Sequence, residues 1–362
     1  MPLTEKVMLI LPELAEGGVE RHVLSLSAGL VSFGYNVTVA SAGGALVGEL
    51  AGGVRHIEMP VDKKNFFTGM LCARRLADVV RDLGINVVHA HSRVPAWISY
   101  FVRAFTGVKF ICTAHSRYSL NYGLWPMSKA DGAICVSRSV RDHLYDWLPN
   151  RAAVEIIYNP APANTVPWTG SGGHTKRLLI LGRVSKKKGI AVVVKALSAL
   201  AALNWVLDIV GEGPMLDEIG KMARESGIYD RITFHGHSDR AEEFVSACDA
   251  FLFPSFEEGL PLALIEALSA GAPVIASDIP AVRELTDLSD GHPSDELVKP
   301  GDVAAWTSVL RRFLVGLFVP SLKCTLKLPT EREMVCETID FYENLRKLDA
   351  YSDEETPSEP AS

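Results

Sequence analysis

Short apolar, β-branched runs alternate with longer amphipathic segments along most of this chain, and this alternation constrains its fold more than any other feature. The pattern begins with KVMLILP (6–12) and a helical segment over 17–34. It continues with predicted strands at 35–41, 53–58, 86–90, 108–113 and 132–136. Strands that alternate with helices pair in parallel, so residues 1–160 are predicted to form a doubly wound α/β sheet.

A stretch rich in proline, glycine and hydroxyl residues (159–175) interrupts the pattern. Strand signals then restart at 177–182, 205–211, 231–236, 250–255 and 273–277. We therefore predict two Rossmann-like domains, which a chain of 362 residues with 48% apolar content can supply with separate cores. The predicted boundaries are an N-terminal domain over 1–160, a linker over 161–176 and a second domain over 177–329.

The last part of the chain is predicted to be a helix over 330–348. It opens with a capping box, in which the side chains of Thr330 and Glu333 bond first-turn amides. The acidic tail at 349–362 has little apolar surface to bury and is predicted to be disordered.

Composition excludes several classes of protein. A net charge of -7 argues against a general nucleic-acid binder. Six scattered cysteines without a C-x-x-C pair predict reduced thiols, a cytoplasmic location and no structural zinc. The apolar run at 313–320 is too short to span a membrane.

The charge is unevenly distributed. Residues 61–140 contain eleven basic and four acidic side chains, a local charge of +7, interleaved with aromatic residues. This stretch is either an ordinary solvated surface or a surface that meets an anionic membrane or acceptor. The basic residues are Lys63, Lys64, Arg74, Arg75, Arg81, Arg93, Arg103, Lys109, Arg117, Lys129 and Arg138.

Three predicted loops at strand ends carry candidate binding residues. Gly17 and Gly18 open a helix and let an anion approach the backbone, although a plain tight turn explains them equally well. Arg183 and Lys188 follow a strand five residues apart and could share one diphosphate. G-x-G-x-x-G, the dinucleotide fingerprint, does not occur, which disfavours a nicotinamide enzyme.

The third loop carries two glutamates, Glu258 and Glu266, around a tight turn and a small-residue helix. A carboxylate in such an apolar context needs hydrogen-bond donors, which the hydroxyl pairs of a sugar or ribose would provide. The alternative is a structural glutamate bonded to backbone amides.

Taken in order, GGVE (17–20), the GRxxxxKG element (182–189), the two glutamates and AGAPVIA (270–276) resemble the GT-B glycosyltransferases of family 4, over about residues 6–348. The resemblance implies a bacterial retaining enzyme that moves a hexose-type sugar from a UDP- or GDP-sugar to a saccharide or glycolipid acceptor, as in lipopolysaccharide or polysaccharide biosynthesis. It also implies two domains facing each other across a cleft, a C-terminal helix returning to the N-terminal domain, no metal and no further cofactor.

The resemblance also assigns roles to residues. Arg183 and Lys188 would bind and stabilise the donor diphosphate, Glu266 the ribose, and Glu258 the donor sugar. His115 would face the sugar and acceptor, orienting a hydroxyl or aiding proton transfer. The remaining expected contacts are the Gly17–Gly18 loop on the diphosphate, backbone around Gly259, Leu260 and Pro261 on the sugar, and Gly236 near the base.

Several alternatives stay open. His89 and His91 either support this site or are packed structural residues, and a metal held by them with His115 is disfavoured. The loop at 278–300 lacks the family's usual double glycine, and residues 313–329 are atypical. The same fold also serves nucleotide-sugar epimerases, and a catalytically inactive nucleotide-sugar-binding partner is a third possibility. Location on the inner face of the cytoplasmic membrane is expected if the basic stretch binds lipid.

Overall fold

The computed structural model describes residues 5–15, 17–149, 153–162, 165–286, 297–322 and 327–354. The chain divides into two compact units. Unit 1 contains residues 1–160 and 329–362, and unit 2 contains residues 161–328.

Unit 1 is built on a parallel sheet with the strand order β3-β2-β1-β4-β5-β6-β7 among its described residues. The strands are β1 (Lys6–Ile10), β2 (Asn36–Ser41), β3 (Arg55–Glu58), β4 (Val87–His91), β5 (Lys109–Ala114), β6 (Gly132–Cys135) and β7 (Val154–Ile156). The helices between them are α1 (Gly18–Ser32), α2 (Phe66–Leu83), α3 (Arg93–Thr106) and α4 (Arg138–Leu144), with 3-10 helices at Ala45–Glu49, Tyr122–Lys129 and Tyr145–Trp147.

Alternating side chains of β1 build both cores of unit 1, because successive residues of a strand point to opposite faces. Val7 and Leu9 join the core that also contains buried residues of α1. Met8 and Ile10 join the core formed with α2 and α3. The central strand is therefore buried on both faces, as a doubly wound sheet requires.

Unit 2 repeats the topology with the order β10-β9-β8-β11-β12-β13, again parallel among the described residues. The strands are β8 (Lys176–Leu181), β9 (Trp205–Val210), β10 (Ile232–Gly236), β11 (Ala250–Phe253), β12 (Val274–Ser277) and β13 (Leu297–Val298). The helices are α5 (Ile190–Ser198), α6 (Leu216–Glu225), α7 (Ala241–Ala247), α8 (Leu262–Ala270), α9 (Pro280–Thr286) and α10 (Val303–Leu314), with 3-10 helices at Lys186–Lys188 and Tyr229–Arg231. Its core surrounds the fully buried Trp205 and Trp306.

The C-terminal helix α11 (Glu331–Glu354) belongs to unit 1. Its predicted capping box forms: the Thr330 N–H donates to Glu333 Oε2 at 2.7 Å, and the Glu333 N–H donates to Thr330 Oγ1 at 3.2 Å. The helix packs so closely on α1 that a Cβ at Gly29 would lie 2.4 Å from Val335 Cγ2. It ends six residues beyond the predicted limit, so 349–354 are helical and not part of a disordered tail; residues 355–362 lie outside the described part.

Residues 165–175 have no regular secondary structure but are hydrogen-bonded to the rest of unit 2. The Trp168 indole donates to Cys248 O at 2.7 Å, and the Thr169 N–H donates to Ser246 O at 2.9 Å. The free thiols Cys72, Cys112, Cys135 and Cys248 are buried and Cys336 is partly buried; Cys324 lies outside the described residues. None of the described helices combines the length and hydropathy of a membrane span.

Candidate functional site

The two sheets have the same topological switch point. The strand order reverses beside the first strand of each unit, between β1 and β4 in unit 1 and between β8 and β11 in unit 2. Ligands of open parallel sheets bind outside the carboxyl ends of the strands at this point. The predicted site residues follow these strands or their neighbours, so each unit is described in turn.

An ion pair holds Lys188 in place at the carboxyl edge of the sheet of unit 2. Lys188 Nζ lies 2.7 Å from Glu258 Oε1, and the two side chains are 25% and 15% exposed. Lys188 ends the 3-10 helix that follows β8, and Glu258 lies in the loop that follows β11. The structure thus brings two predicted site residues together at the switch point. Arg183 lies exposed on the same loop as Lys188, directly after Gly182.

Gly189 allows these two loops to approach each other. Its φ of +65° is in the left-handed region, and a Cβ there would lie 2.0 Å from the carbonyl oxygen of Pro254. The Phe256 N–H also donates to Lys187 O at 2.8 Å. The loops that carry Lys188 and Glu258 are therefore joined by backbone contacts that a side chain at Gly189 would prevent.

Other glycines of unit 2 serve backbone packing. Gly211 has a φ of +136°, its Cβ would lie 2.1 Å from Gly182 O, and its N–H donates to Gly236 O at 2.6 Å. Gly236 itself has a φ of +68°, and a Cβ there would make only an ordinary van der Waals contact, with Glu212 Oε1 at 3.5 Å. The ends of β8, β9 and β10 are consequently locked side by side, which places Gly236 on the same edge of the sheet as Arg183.

Glu266 lies on α8, four residues after the helix begins. Burial, followed by the charge of Glu242, raises the pKa of its carboxyl. Among the described residues it makes no ion pair or hydrogen bond within the usual distances. The buried backbone of Gly259, Leu260 and Pro261 leads from Glu258 into this helix, so one segment carries both glutamates. A partly buried carboxylate of this kind is suited to accept hydrogen bonds from hydroxyl groups.

In unit 1, four histidines meet at the carboxyl edge of the sheet. His89 lies in the middle of β4 and His91 ends it, His115 follows β5, and His22 comes from α1. His91 Nδ1 lies 3.0 Å from His115 Nε2, and the rings of His22 and His115 are 4.8 Å apart at their centroids. Ser92, which directly follows His91, has a φ of +90°, a positive value found at no other non-glycine residue in the described part of the chain. The backbone is therefore strained beside these histidines.

Hydrogen bonds distinguish the four rings. His89 has partners on both nitrogens: Tyr342 Oη at 2.7 Å from Nδ1 and Thr113 Oγ1 at 2.6 Å from Nε2. His22 Nδ1 lies 2.9 Å from Asn159 Oδ1. His91 Nε2 is buried without a hydrogen-bond partner among the described residues. His89 is therefore a structural residue, whereas His22, His91 and His115 keep nitrogens available for other interactions.

Burial keeps the cluster neutral. It lowers the pKa of His22 to about 4 and that of His89 to about 3, and it places those of His91 and His115 well below 6.5. Neutral imidazoles are metal ligands as well as hydrogen-bond partners. One nitrogen of each of His22, His91 and His115 lies within 4.8 Å of the others, so this trio could approach a metal. The trio therefore contains His22, and not His89 as in the set expected from the sequence, because both nitrogens of His89 already have hydrogen-bond partners.

The Gly17–Gly18 loop lies at the start of α1. Gly17 is its N-cap, in an extended conformation (φ 172°) that any residue adopts, and α1 has no side-chain N-cap hydrogen bond. A Cβ at Gly17 would lie 2.4 Å from Glu20 Oε2, so an acidic side chain approaches this helix end. The loop lies at a helix N-terminus, as predicted for an anion site, together with a carboxylate that an anion would have to displace.

Two family models match this chain. Residues 16–164 match the model described as Glycosyltransferase Family 4, and residues 175–315 match the model described as Glycosyl transferases group 1. Each model covers most of the described sheet of one unit. The chain belongs to the family 4 type of GT-B glycosyltransferases.

Named relatives of this glycosyltransferase are distant. A lipopolysaccharide 1,6-galactosyltransferase of Escherichia coli K12 is 25% identical over 60% of this chain, and the match spans 61% of that protein. A glycogen synthase of Mycobacterium tuberculosis is 26% identical over 84% of each chain. HepE of Anabaena, solved in complex with UDP-glucose, is 12% identical, with a TM-score of 0.72 over 96% of this chain and 99% of its own. At an identity as low as that of HepE, the structural likeness establishes the fold alone.

The sequence reasoning missed some residues of these sites. His22 is not predicted from the sequence, because the apolar spacing of α1 does not mark it, although a histidine within two turns of a glycine loop is a usable signal. Asp208 was also missed: it is buried in β9 and bonds both Arg177 Nε and His235 Nε2 at 2.6 Å. An aspartate inside an apolar strand, flanked by basic residues on neighbouring strands, is the pattern that would have revealed it.

Proposed function

We propose that this glycosyltransferase moves a hexose-type sugar from a UDP- or GDP-sugar to a saccharide or lipid-linked acceptor, with retention of configuration, in bacterial surface-glycan biosynthesis. The observation that carries the proposal is the pair of Lys188 and Glu258 at the switch point of unit 2, with Glu266 on the same segment as Glu258. The UDP-glucose bound to HepE and the lipopolysaccharide in the name of the E. coli relative support the substrate classes.

In the proposed reaction, negative charge grows on the β-phosphate as the glycosyl bond breaks. Lys188 and Arg183 would stabilise that charge more strongly than the ground state, which lowers the barrier. Lys188 is already held by Glu258, so a diphosphate meets a fixed ammonium. Glu258 would accept hydrogen bonds from hydroxyls of the sugar, and Glu266 would accept them from hydroxyls of the ribose. This arrangement assigns Glu258 to binding. As our mechanism for retention, the acceptor hydroxyl attacks the anomeric carbon from the face of the departing phosphate, and an oxygen of that phosphate takes the hydroxyl proton as the bond between sugar and phosphate breaks.

A binding test uses two neighbouring lysines. Lys188→Ala is expected to weaken UDP or GDP binding about ten- to a hundredfold, because a hydrogen bond to a charged group contributes about 1.5–3 kcal/mol. Lys187→Ala is the matched control, since Lys187 is mostly exposed and pairs with Glu257. Nucleotide sugars are first screened by their effect on the melting temperature, and affinities are then measured by calorimetry. Equal losses in both variants, or no melting shift with any nucleotide sugar, would contradict the proposal.

We also propose that unit 1 binds an anionic membrane surface peripherally. Phe67 and Tyr122 are 82% and 78% exposed, and both lie within the basic stretch at 61–140. Basic side chains beside exposed aromatic rings are typical of interfacial binding. Sedimentation with vesicles should rise with the fraction of anionic lipid and fall with salt. Binding that does not change with anionic lipid content would reject this part.

A further inference from the structure

A cavity of about 370 Å³ opens in unit 1 between the first turns of α2 and α3. Its wall is apolar and is formed by Phe66, Met70, Val94, Trp97, Ile98 and Phe101. The Trp97 indole donates to Gly123 O at 3.0 Å, and the Phe66 and Phe101 rings meet edge to face at 6.1 Å. These contacts hold part of the wall in place, and the volume of the cavity is in the range of small-molecule sites.

The mouth of this cavity is positively charged. Lys63, Lys64 and Arg93 line it, and its described lining contains no acidic residue. Lys63 pairs with Asp62 at 2.8 Å, which leaves Lys64 and Arg93 as the main source of positive charge. The first turns of α2 and α3 also lack acidic residues, so both helix dipoles add to the positive potential.

One residue of the cavity lining, Arg93, lies close to the loop that carries His115. Arg93 follows His91 by two residues, and its guanidinium carbon lies 5.4 Å from the centre of the Tyr118 ring. The Tyr118 hydroxyl accepts the backbone N–H of His115 at 3.3 Å. A ligand anion held at Arg93 is therefore one side chain away from the loop that carries His115.

We infer that this cavity holds the hydrocarbon chain of a phosphate-bearing, lipid-linked acceptor, whose phosphate pairs with Lys64 and Arg93 and whose sugar extends toward His115. That the ligand is the acceptor of the reaction rests on the proposed function. That it is an anionic amphiphile rests on the cavity alone. An apolar wall with a cationic mouth matches that chemistry, because the chain requires burial and the phosphate requires positive charge.

Monoalkyl phosphates of increasing length, used below their micelle concentrations, are the direct probe. Each methylene that enters the cavity should tighten binding about fourfold, which is 0.8 kcal/mol per buried CH₂ at 25 °C. The affinity should stop rising once the cavity is filled. Alkyl alcohols of the same length should bind more weakly, and Lys64→Gln should remove part of that difference. Affinity that is independent of chain length would overturn the inference.

Gly69→Leu tests the location of the chain. Gly69 lines the cavity, and a Cβ there would have only Ile98 Cγ1, at 3.9 Å, within 4 Å, so the larger side chain fills the space without a backbone clash. This variant should lose the chain-length dependence, while Thr68→Leu, one residue earlier on α2 and outside the lining, should keep it. Folding is checked by the melting temperature, which a leucine in place of a helical glycine should maintain or raise.

Two outcomes separate this inference from the proposed function. Alkyl phosphate binding without any nucleotide-sugar binding would reject the transferase and leave the cavity assignment standing. Nucleotide-sugar binding with alkyl phosphates that bind Gly69→Leu as tightly as the parent chain would reject the cavity alone. Binding confined to vesicles or micelles, and unchanged in Gly69→Leu, would mean surface adsorption and would also reject it.

Discussion

Replacing Gly189 with alanine should destabilise the candidate site of unit 2 in two ways, through a strained backbone conformation and through a clash between two loops. Gly189 has a φ of +65°, and an added Cβ would lie 2.0 Å from Pro254 O, which is backbone and cannot rotate away. Gly271 has a φ of +79° and nothing within 4 Å of an added Cβ. Gly271→Ala therefore carries the left-handed backbone cost alone, about 1–2 kcal/mol.

Gly189→Ala carries the same cost and also forces the loops after β8 and β11 apart, which we place at a further 1–3 kcal/mol by analogy with overpacking. The difference in unfolding free energy between the two variants, from urea titrations followed by tryptophan fluorescence, measures the close approach. Because Lys188 precedes Gly189, the same substitution should weaken UDP binding, whereas Gly271→Ala should not. Equal destabilisation by both substitutions would refute the argument that the loops are joined at Gly189.

Two further predictions follow from the shifted pKa values. In the folded chain the pKa values of His22 and His89 are lowered to about 4 and about 3, so below pH 6.5 the unfolded chain binds protons that the folded chain does not. The free energy of unfolding should therefore fall by a few kcal/mol as the pH drops from above 6.5 toward 4. Urea midpoints at pH 7.5 and 5 check this, and His89→Gln should reduce the difference; equal midpoints would contradict it. Glu266→Gln should raise the melting temperature slightly, since it removes a half-buried charge facing Glu242, and should weaken nucleotide binding; a lower melting temperature with unchanged binding would contradict the ribose role.

The sequence was sufficient for the elements because both units follow strict alternation. Most of the predicted strands agree with the structure within two residues at each end, and the family resemblance is confirmed. β7 and β13 were missed because strands of three and two residues are too short to show a period. The order of strands was also beyond sequence reasoning, since it depends on which helices cover which face.

The same limit applies to the sites. Local motifs were enough to propose Lys188, Glu258 and Glu266 as candidate residues, because the glycines and charges are close in sequence. The contact of His22 with His115 joins a helix after β1 to a loop after β5, and only the strand order brings these segments to one edge. The cavity between α2 and α3 is likewise a product of helix packing. Its aromatic residues were visible in the sequence, but their division between core and surface was not.

The low pKa of His115 bears on its role in the proposed reaction. A general base works best when its pKa is near the working pH, and a buried imidazole with a pKa well below 6.5 is a weak proton acceptor. Its nitrogens can still hold a hydroxyl, since the ring is neutral and His91 fixes it at 3.0 Å. Of the two roles open from the sequence, burial therefore favours orienting a sugar hydroxyl over proton transfer.

His115→Gln distinguishes these roles, because glutamine can hydrogen-bond but cannot accept the proton. If His115 orients the sugar, glutamine should keep much of the hydrogen bond, so turnover should fall by no more than about tenfold, which is the loss of one neutral hydrogen bond at about 1–1.5 kcal/mol, and the pH profile of kcat should keep its shape. If His115 were the base, kcat should fall 10²–10⁴-fold and lose its acidic limb. Steady-state rates between pH 5 and 9 with the donor from the melting screen would decide, and the larger loss would show that the imidazole regains basicity once substrates surround it.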